Sequence, residues 1–416
     1  MPNSRRRILA ASLAGTAIEF YDFYIYATAA SLVFGTLFFP KGSPVAQLMA
    51  SYASFALAFV ARPLGSVVFG HFGDRVGRKS TLVASLLLMG GSTVAIGFLP
   101  VYQLVGWVAP ALLCVLRFGQ GFGLGGEWGG AALLATENAP VGFKARYGMF
   151  PPLGAPVGFF FATGVFLLLG YGLAGNDFIR WGWRLPFLGS AVLVFVGLWM
   201  RLKLTETPDF KRMQAAGPLP KVPLFELLRD YPKQTFAAIF AVVAAFVLFY
   251  LISVFALGYA TKSLGYGREQ FLAVEMLASL GMALGIVLAG FLADRTNARF
   301  VLLLGCIFTF VLGLLFAPAF DSGSLPVIAA YLCTAGFFMG LVYGPLGAWL
   351  PSLFPPQVRY TGVSITFNTG GILGGALTPF LAEWLVHTSG GLLMVGEYLC
   401  LAALVSFAAL SSLQRR

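Results

Sequence analysis

The chain has 416 residues, 58% of them hydrophobic and only 10% charged, with a mean hydropathy of +0.85. Soluble domains carry about 25% charged residues, so this composition excludes a water-soluble globular protein and requires a bilayer as solvent. The net charge of +11 does not imply nucleic acid, because the basic residues form short clusters between apolar runs and no single patch.

A spanning helix needs about 20 mainly apolar residues. By that measure six spans precede a polar middle, at roughly 9–38, 46–70, 80–99, 103–137, 147–170 and 185–203. The N-terminal RRRILAASLAG has the charged and apolar regions of a signal peptide. The apolar run nevertheless continues past Glu19 and Asp22 to Phe39, long enough to cross a membrane. Residues 204–234 hold Pro208, Pro218, Pro220, Pro223 and Pro232 among mixed charges and read as a linker. Within it, PLFELLRDY predicts a short amphipathic helix at the membrane surface. Six further spans follow at roughly 235–261, 269–293, 299–319, 325–352, 359–386 and 391–412. Cys114, Cys306, Cys333 and Cys400 fall inside apolar runs without metal-ligand spacing. They read as small buried hydrophobes, and no metal or cofactor is expected.

Between spans 2 and 3 the stretch GHFGDRVGRKS (70–80) crowds four charges beside glycines that permit a tight turn. It recurs in worn form as GFLADRTNARF (290–300), with Asp74 and Asp294 lying 220 positions apart (74 to 294). Arg146 of KARYG and Arg359 of VRYTG repeat at 213 positions (146 to 359). Two landmarks at nearly one offset predict two similar halves, 1–203 and 235–416, joined by the linker.

Twenty of the 27 lysines and arginines fall in loops on the side of the N-terminus and five on the other, which predicts cytoplasmic termini. The remaining two, Arg62 and Arg117, lie inside spans, as do Glu19, Asp22 and Glu127. A rise of about 1.5 Å per residue puts Glu19, Arg62 and Glu127 about 15–18 Å from the cytoplasmic edge, with Arg117 about 15 Å further out. Glu19, Asp22 and Tyr26 line one face of span 1, while Arg117, Gln120, Leu124 and Glu127 keep to one side of span 4. A polar cavity between helices needs this alignment, because an ionisable group in a span faces a cavity or a partner.

A carboxyl in a low-dielectric cavity can load a proton on one side and release it on the other, making Glu19 and Asp22 the proton-site candidates. The alternative is a static ion pair with Arg62, which itself reads as a structural or coupling partner. Arg117 suits a carboxylate solute through paired guanidinium hydrogen bonds, or else forms a structural pair with Glu127. Tyr26, Gln120, Tyr250, Tyr343 and Asn368 fall mid-span and are candidates to line the cavity, although a packed tyrosine with a satisfied hydroxyl looks the same in sequence. Asn368 must find a partner at mid-depth. Glu275, Glu383 and Glu397 fall near the outer ends of their spans and suggest no special role.

The loop GHFGDRVGRKS resembles the signature between spans 2 and 3 of the major facilitator superfamily. GTAIEFYDFYIYATAASLVFGTLFFP, FVARPLGSVVFGHFGDRVGRK, RFGQGFGLGGEWGGAALLATENAP and WGWRLPFLGSAVLVFVGLWMRLKLTETPDF resemble its metabolite:proton symporters, which include shikimate, α-ketoglutarate, citrate and proline/betaine permeases. The resemblance implies an all-α membrane fold of twelve transmembrane helices, in two six-helix bundles related by a pseudo-two-fold axis, with alternating access to a central cavity. It implies proton-coupled symport of a small organic solute, a carboxylate by expectation, across the inner membrane by a single copy of the chain. The alternatives are a zwitterionic or uncharged solute such as a betaine or polyol, or a sensor that does not transport.

The resemblance also implies a cytoplasmic gate of Asp74, Arg75, Arg78, Glu137 and Arg146, with Asp294 and Arg359 from the second half. Ion pairs there hold the outward-facing state and separate when the inside opens. Asp74 could in addition meet the positive end of span 11 near Arg359. DRTNAR departs from the pattern in having lost its glycine and one basic residue, and Pro152 stands where relatives commonly carry glutamine. No phosphate loop, HExxH or GxSxG occurs, which argues against ATP use and against an intramembrane enzyme.

Overall fold

The computed structural model describes residues 5–42, 44–173, 175–203, 206–216 and 222–413; Pro218 and Pro220 of the expected linker lie outside them. Among the described residues the regular structure is helical. Span 1 runs Arg5–Ala29, a π-helical turn Ala30–Phe34 and Gly35–Phe38. Spans 2, 3 and 4 are Pro44–Arg75, Arg78–Gly97 and Val108–Glu137. Span 5 comprises Lys144–Gly148 and Phe150–Gly172, and span 6 a π turn Phe178–Gly182 with Arg184–Leu202. Two linker helices follow, Pro208–Ala216 and Pro223–Asp230, the second covering the predicted amphipathic stretch.

Span 7 comprises Pro232–Ala241, Val243–Tyr250, a π turn Leu251–Phe255 and Ala256–Lys262. Spans 8 and 9 are Arg268–Arg295 and Ala298–Asp321, span 10 is Leu325–Tyr343 with Leu346–Ser352, and span 12 is Leu393–Ser412. Among the described residues eleven helices are long and apolar enough to cross a membrane. The expected twelfth, span 11, is broken into Arg359–Gly371, a π turn Ile372–Ala376 and Thr378–Ser389, with a bend at Leu377. Pro379 explains the break, because it has no amide hydrogen to continue the helical ladder.

The packing repeats as the sequence does. Span 2 packs on 4, span 3 on 6 and span 1 on 5; in the second half span 8 packs on 10 and span 9 on 12. The two large contacts across the halves, span 2 with 11 and span 5 with 8, are also counterparts. The π turns of spans 1 and 7 begin 221 positions apart (30 to 251), within one position of the offset of the two aspartates. Outward faces are apolar: Leu277, Leu280, Leu284, Leu288 and Phe291 of span 8 are exposed at helical spacing, as lipid contact requires.

The stretch 70–80 is less of a loop than its composition suggests. Span 2 continues to Arg75 and span 3 starts at Arg78, leaving Val76 and Gly77 to turn the chain. Gly77 has φ +130°, a conformation that side-chain-bearing residues rarely adopt. At the equivalent turn Asn297 stays extended and its side chain accepts the Phe300 amide at 2.8 Å, capping span 9. A cap has replaced the glycine, which accounts for its loss from the second repeat. Between spans 2 and 4, Gly125 lies so close to the Arg62 carbonyl that a Cβ there would collide with it. This approach brings the charged residues of the two helices to one level.

Candidate functional site

The midplane charges do not form the pairs that sequence reading offered. Glu127 is buried and its carboxylate bonds the Arg201 guanidinium, with Ser85 Oγ donating to Oε2 at 3.0 Å. Arg117 is therefore not its partner. Arg201, one of the twenty basic residues assigned to the N-terminal side, lies in the last turn of span 6, 2% exposed, donating to the Leu82 carbonyl at 2.6 Å. Its position beside the polar run after Leu202 disguised it, and only the direction of its side chain shows that it belongs to the bundle.

Arg117 is fully buried inside a box of rings: its guanidinium carbon is 4.0 Å from the Tyr26 centroid, 4.8 Å from Phe55 and 5.3 Å from Phe23. Nη1 donates to Gln120 Oε1 at 2.5 Å, one turn along span 4, while Nε and Nη2 have no hydrogen-bond partner among the described residues. Gln120 Nε2 donates onward to Thr93 Oγ1 at 2.7 Å and to the Asp22 carbonyl at 3.4 Å. Asp22 is buried and its Oδ1 accepts from Ser190 Oγ of span 6 at 2.6 Å. One amide side chain thus links the Arg117 guanidinium to the segment carrying the acid. The Tyr26 hydroxyl lies 2.7 Å from Ser54 Oγ.

Glu19 is 3% exposed and its Oε2 has no hydrogen-bond partner among the described residues. Among the described residues no ion pair joins Glu19 or Asp22 to Arg62, so the static pair offered as the alternative does not form. Arg62 instead lies over the Phe23 and Phe59 rings at 4.9 and 5.3 Å, its Nε unpartnered. Cation–π contacts offset part of the cost of keeping these guanidiniums in the membrane.

The remaining mid-span candidates separate. Tyr250 packs edge-on to Phe59, with centroids 6.1 Å apart, joining the halves at the arginines. The Tyr343 hydroxyl accepts from Trp128 Nε1 at 3.1 Å. Asn368 is committed to the contact between halves: Nδ2 donates to Ser66 Oγ at 2.9 Å, Gly125 O at 3.1 Å and Ser364 O at 2.9 Å. Glu275 lies near the outer end of span 8 and is nevertheless buried. It is 3% exposed and lines a cavity of about 30 Å³ with Pro156, Phe159, Phe249 and Met282.

At the cytoplasmic ends the halves are tied by charge. The buried Asp74 carboxylate accepts from the Tyr360 amide at 3.1 Å, the Thr361 amide at 3.0 Å and Thr361 Oγ1 at 2.9 Å, seating it on the N-terminus of span 11. Arg78 bonds Asp74 at 3.1 Å and the Pro356 carbonyl at 3.0 Å, with Glu137 3.6 Å away. Arg359 reaches Glu137 at 3.2 Å and Asp209 of the first linker helix at 3.0 Å. Arg146 Nε bonds Asp294 at 2.7 Å, and Asp294 also accepts the amides of Ala145 and Arg146. Arg75 stands apart, exposed, with Nη1 3.3 Å from His71 Nε2. Sequence reading missed Glu206, which accepts the Arg78 and Lys79 amides at 3.1 and 3.2 Å and so caps span 3 from the linker.

The comparisons agree with this architecture. The Major Facilitator Superfamily model matches residues 10–379 and 251–413. The chain is similar to the inner membrane metabolite transport protein YhjE of Escherichia coli K12, at 51% identity over 98% of this chain and 94% of that protein. It is 36% identical to the shikimate transporter of the same organism, covering 96% and 92% of the two chains, and 33% identical to its proline/betaine transporter, covering 96% and 81%. In structure it resembles the proton:xylose symporter XylE, with TM-score 0.79 and 16% identity over 98% of this chain and 94% of that one. The fold has the two six-helix bundles of that architecture. The chain belongs to the major facilitator superfamily: it is a multi-pass membrane transporter of metabolites, not an enzyme.

Proposed function

We propose that the protein is a proton-coupled symporter of the inner membrane, with cytoplasmic termini, carrying a small organic solute that bears a carboxylate. Bundles 1–203 and 235–416 rock about the central site, with 204–234 as the cytoplasmic connection. The observation that carries the reading is the Arg117–Gln120–Asp22 connection: a guanidinium with two unpartnered nitrogens among the described residues and the backbone carbonyl of a buried acid share one side chain. A carboxylate landing on Arg117 neutralises the guanidinium that is tied through Gln120 to the Asp22 segment, coupling solute binding to the acid. Solute and proton then load together. Glu19, a turn nearer the cytoplasm on span 1, is the second candidate carrier. The cycle ends when Asp74, Arg78, Glu137, Arg146, Asp294 and Arg359 part and the cytoplasmic side opens. The shikimate transporter and the proton:xylose symporter among the similar proteins favour, respectively, an organic acid and a proton.

The test is uptake of labelled carboxylates into proteoliposomes with and without an inward proton gradient. Gradient-driven accumulation of an acid should be lost in Asp22→Asn or Glu19→Gln while exchange of internal for external solute continues. Accumulation that survives both substitutions would remove span 1 from the proton pathway.

A further inference from the structure

The two halves differ at one place where their repeat should make them alike. In the first half a carboxylate of the chain closes the start of span 3: Glu206 accepts the Arg78 and Lys79 amides, and Lys79 Nζ donates to the Leu202 carbonyl at the end of span 6 at 2.9 Å. Arg299 stands 220 positions after Lys79 (79 to 299), the offset of the two aspartates. It makes the same tie in the second half, donating to the Leu410 and Ser411 carbonyls at the end of span 12, each at 2.8 Å. Among the described residues no carboxylate pairs with it. The residues after Leu202 read KLTETP, whereas those after Ser411 read SLQRR, with two arginines and no acid. Between the ends of spans 7, 9, 10 and 12 there is instead a cavity of about 610 Å³. Lys233, Gln234, Asn297, Arg299 and Trp349 line it, and no described acidic residue does. Lys233 likewise lacks an ion pair among the described residues, and Asp230, three positions before it, is bonded to Arg229 at 2.7 and 2.9 Å.

Two cations without a counter-charge in one pocket attract an anion. The pocket lies at the level of the loops, where spans leave the bilayer and meet its phosphates. Its flank is apolar: Phe236 and Phe240 follow Lys233 at helical spacing and are exposed, as are Phe300 and Ile307 on span 9. We propose that this cavity is a site for an anionic phospholipid of the leaflet on the linker side, with its phosphate diester between Lys233 and Arg299 and its acyl chains along Phe236, Phe240 and Phe300. The lipid phosphate takes the place in the second half that Glu206 holds in the first. A free phosphate shares the headgroup chemistry but leaves the exposed rings uncovered, which favours the lipid. Because Arg299 already holds the carbonyls of span 12, a phosphate shared with Lys233 joins the ends of spans 7, 9 and 12.

The experiment is native mass spectrometry of the detergent-solubilised full-length protein, titrated with phosphatidylglycerol, phosphatidylcholine or inorganic phosphate. Phosphatidylcholine has the same phosphate diester with a compensating ammonium, so the anionic lipid should bind at least about tenfold more tightly, the scale set by two basic residues at a charged surface. Lys233→Gln should remove most of that preference. Lys262→Gln, which deletes an exposed lysine at the opposite end of span 7, should leave it unchanged. Phosphatidylglycerol with a photoreactive headgroup should label peptides containing Lys233 or Trp349. The wild-type titrations and the labelling stand alone should Lys233→Gln fail to fold. Equal binding of the two lipids, an equal loss in the two lysine variants, or labelling confined to other peptides overturns the site. Binding of inorganic phosphate without preference for the anionic lipid makes it a small-anion pocket and overturns the lipid as occupant.

Discussion

Among single residues, Arg201 and Glu127 carry the firmest expectation, because both are buried and each neutralises the other. Truncating one partner of such a pair leaves an uncompensated charge and typically costs about 3–5 kcal/mol. Arg201→Met should therefore lower the melting temperature of the detergent-solubilised protein sharply, and so should Glu127→Ala. The double replacement Glu127→Gln with Arg201→Met should recover most of the loss, since neither charge then remains. Strictly additive losses would show that the two do not act as a pair. Glu127 was legible in the sequence as an acid inside a span. Its partner was not, because a helix-end arginine followed by LKLTETP looks the same whether it points into the bundle or toward lipid headgroups. Arg117 shows the reverse. Its burial was expected, while the aromatic box around it depends on Tyr26, Phe55 and Phe23 converging from two other helices.

For the elements, the two equivalent turns make contrasting predictions. Gly77→Ala forces a Cβ into a positive-φ conformation that essentially only glycine adopts, at roughly 1–3 kcal/mol, and drives it against the Glu206 carboxylate that caps span 3. Faster hydrogen exchange at the amides of residues 78 and 79 should follow, together with a lower melting temperature. Asn297→Ala removes only a side-chain cap, at about 1 kcal/mol, and should loosen the start of span 9 alone. If Gly77→Ala exchanges at the wild-type rate, the turn is more adaptable than its φ implies. Span lengths were legible because a bilayer imposes a minimum apolar run. The break in span 11 was less so, since Pro379 marks a possible interruption but the π turn before it depends on how spans 7 and 11 pack.

Across the whole molecule the cytoplasmic ties determine which side is open. Asp74 accepts two backbone amides and a hydroxyl from span 11 besides the Arg78 guanidinium. Hydrogen bonds to a charged group contribute about 1.5–3 kcal/mol each. Asp74→Asn should shift the population toward the inward-open state by roughly tenfold or more, since 1.4 kcal/mol is a factor of ten. Spin labels on the cytoplasmic ends of spans 2 and 11 would report this as a longer distance component. An unchanged distance distribution would mean that Arg146–Asp294 and Arg359–Glu137 hold the halves closed without it.

The sequence by itself determined that the chain lives in a membrane, that it crosses about twelve times, that its halves repeat, and that a small set of charges lies inside. Each conclusion rests on a local or periodic property: the length of an apolar run, the offset of two similar turns, the high cost of an ion in lipid. The tertiary structure alone decided which charge answers which. Glu127 chose Arg201 over Arg117, Asn368 went to the contact between the halves, and Glu275 near its helix end was buried against spans 5 and 7. The physical reason is that partner choice depends on the azimuth and crossing of several helices at once. Those are fixed by how small residues such as Gly125 let backbones approach, and no single run of sequence encodes that.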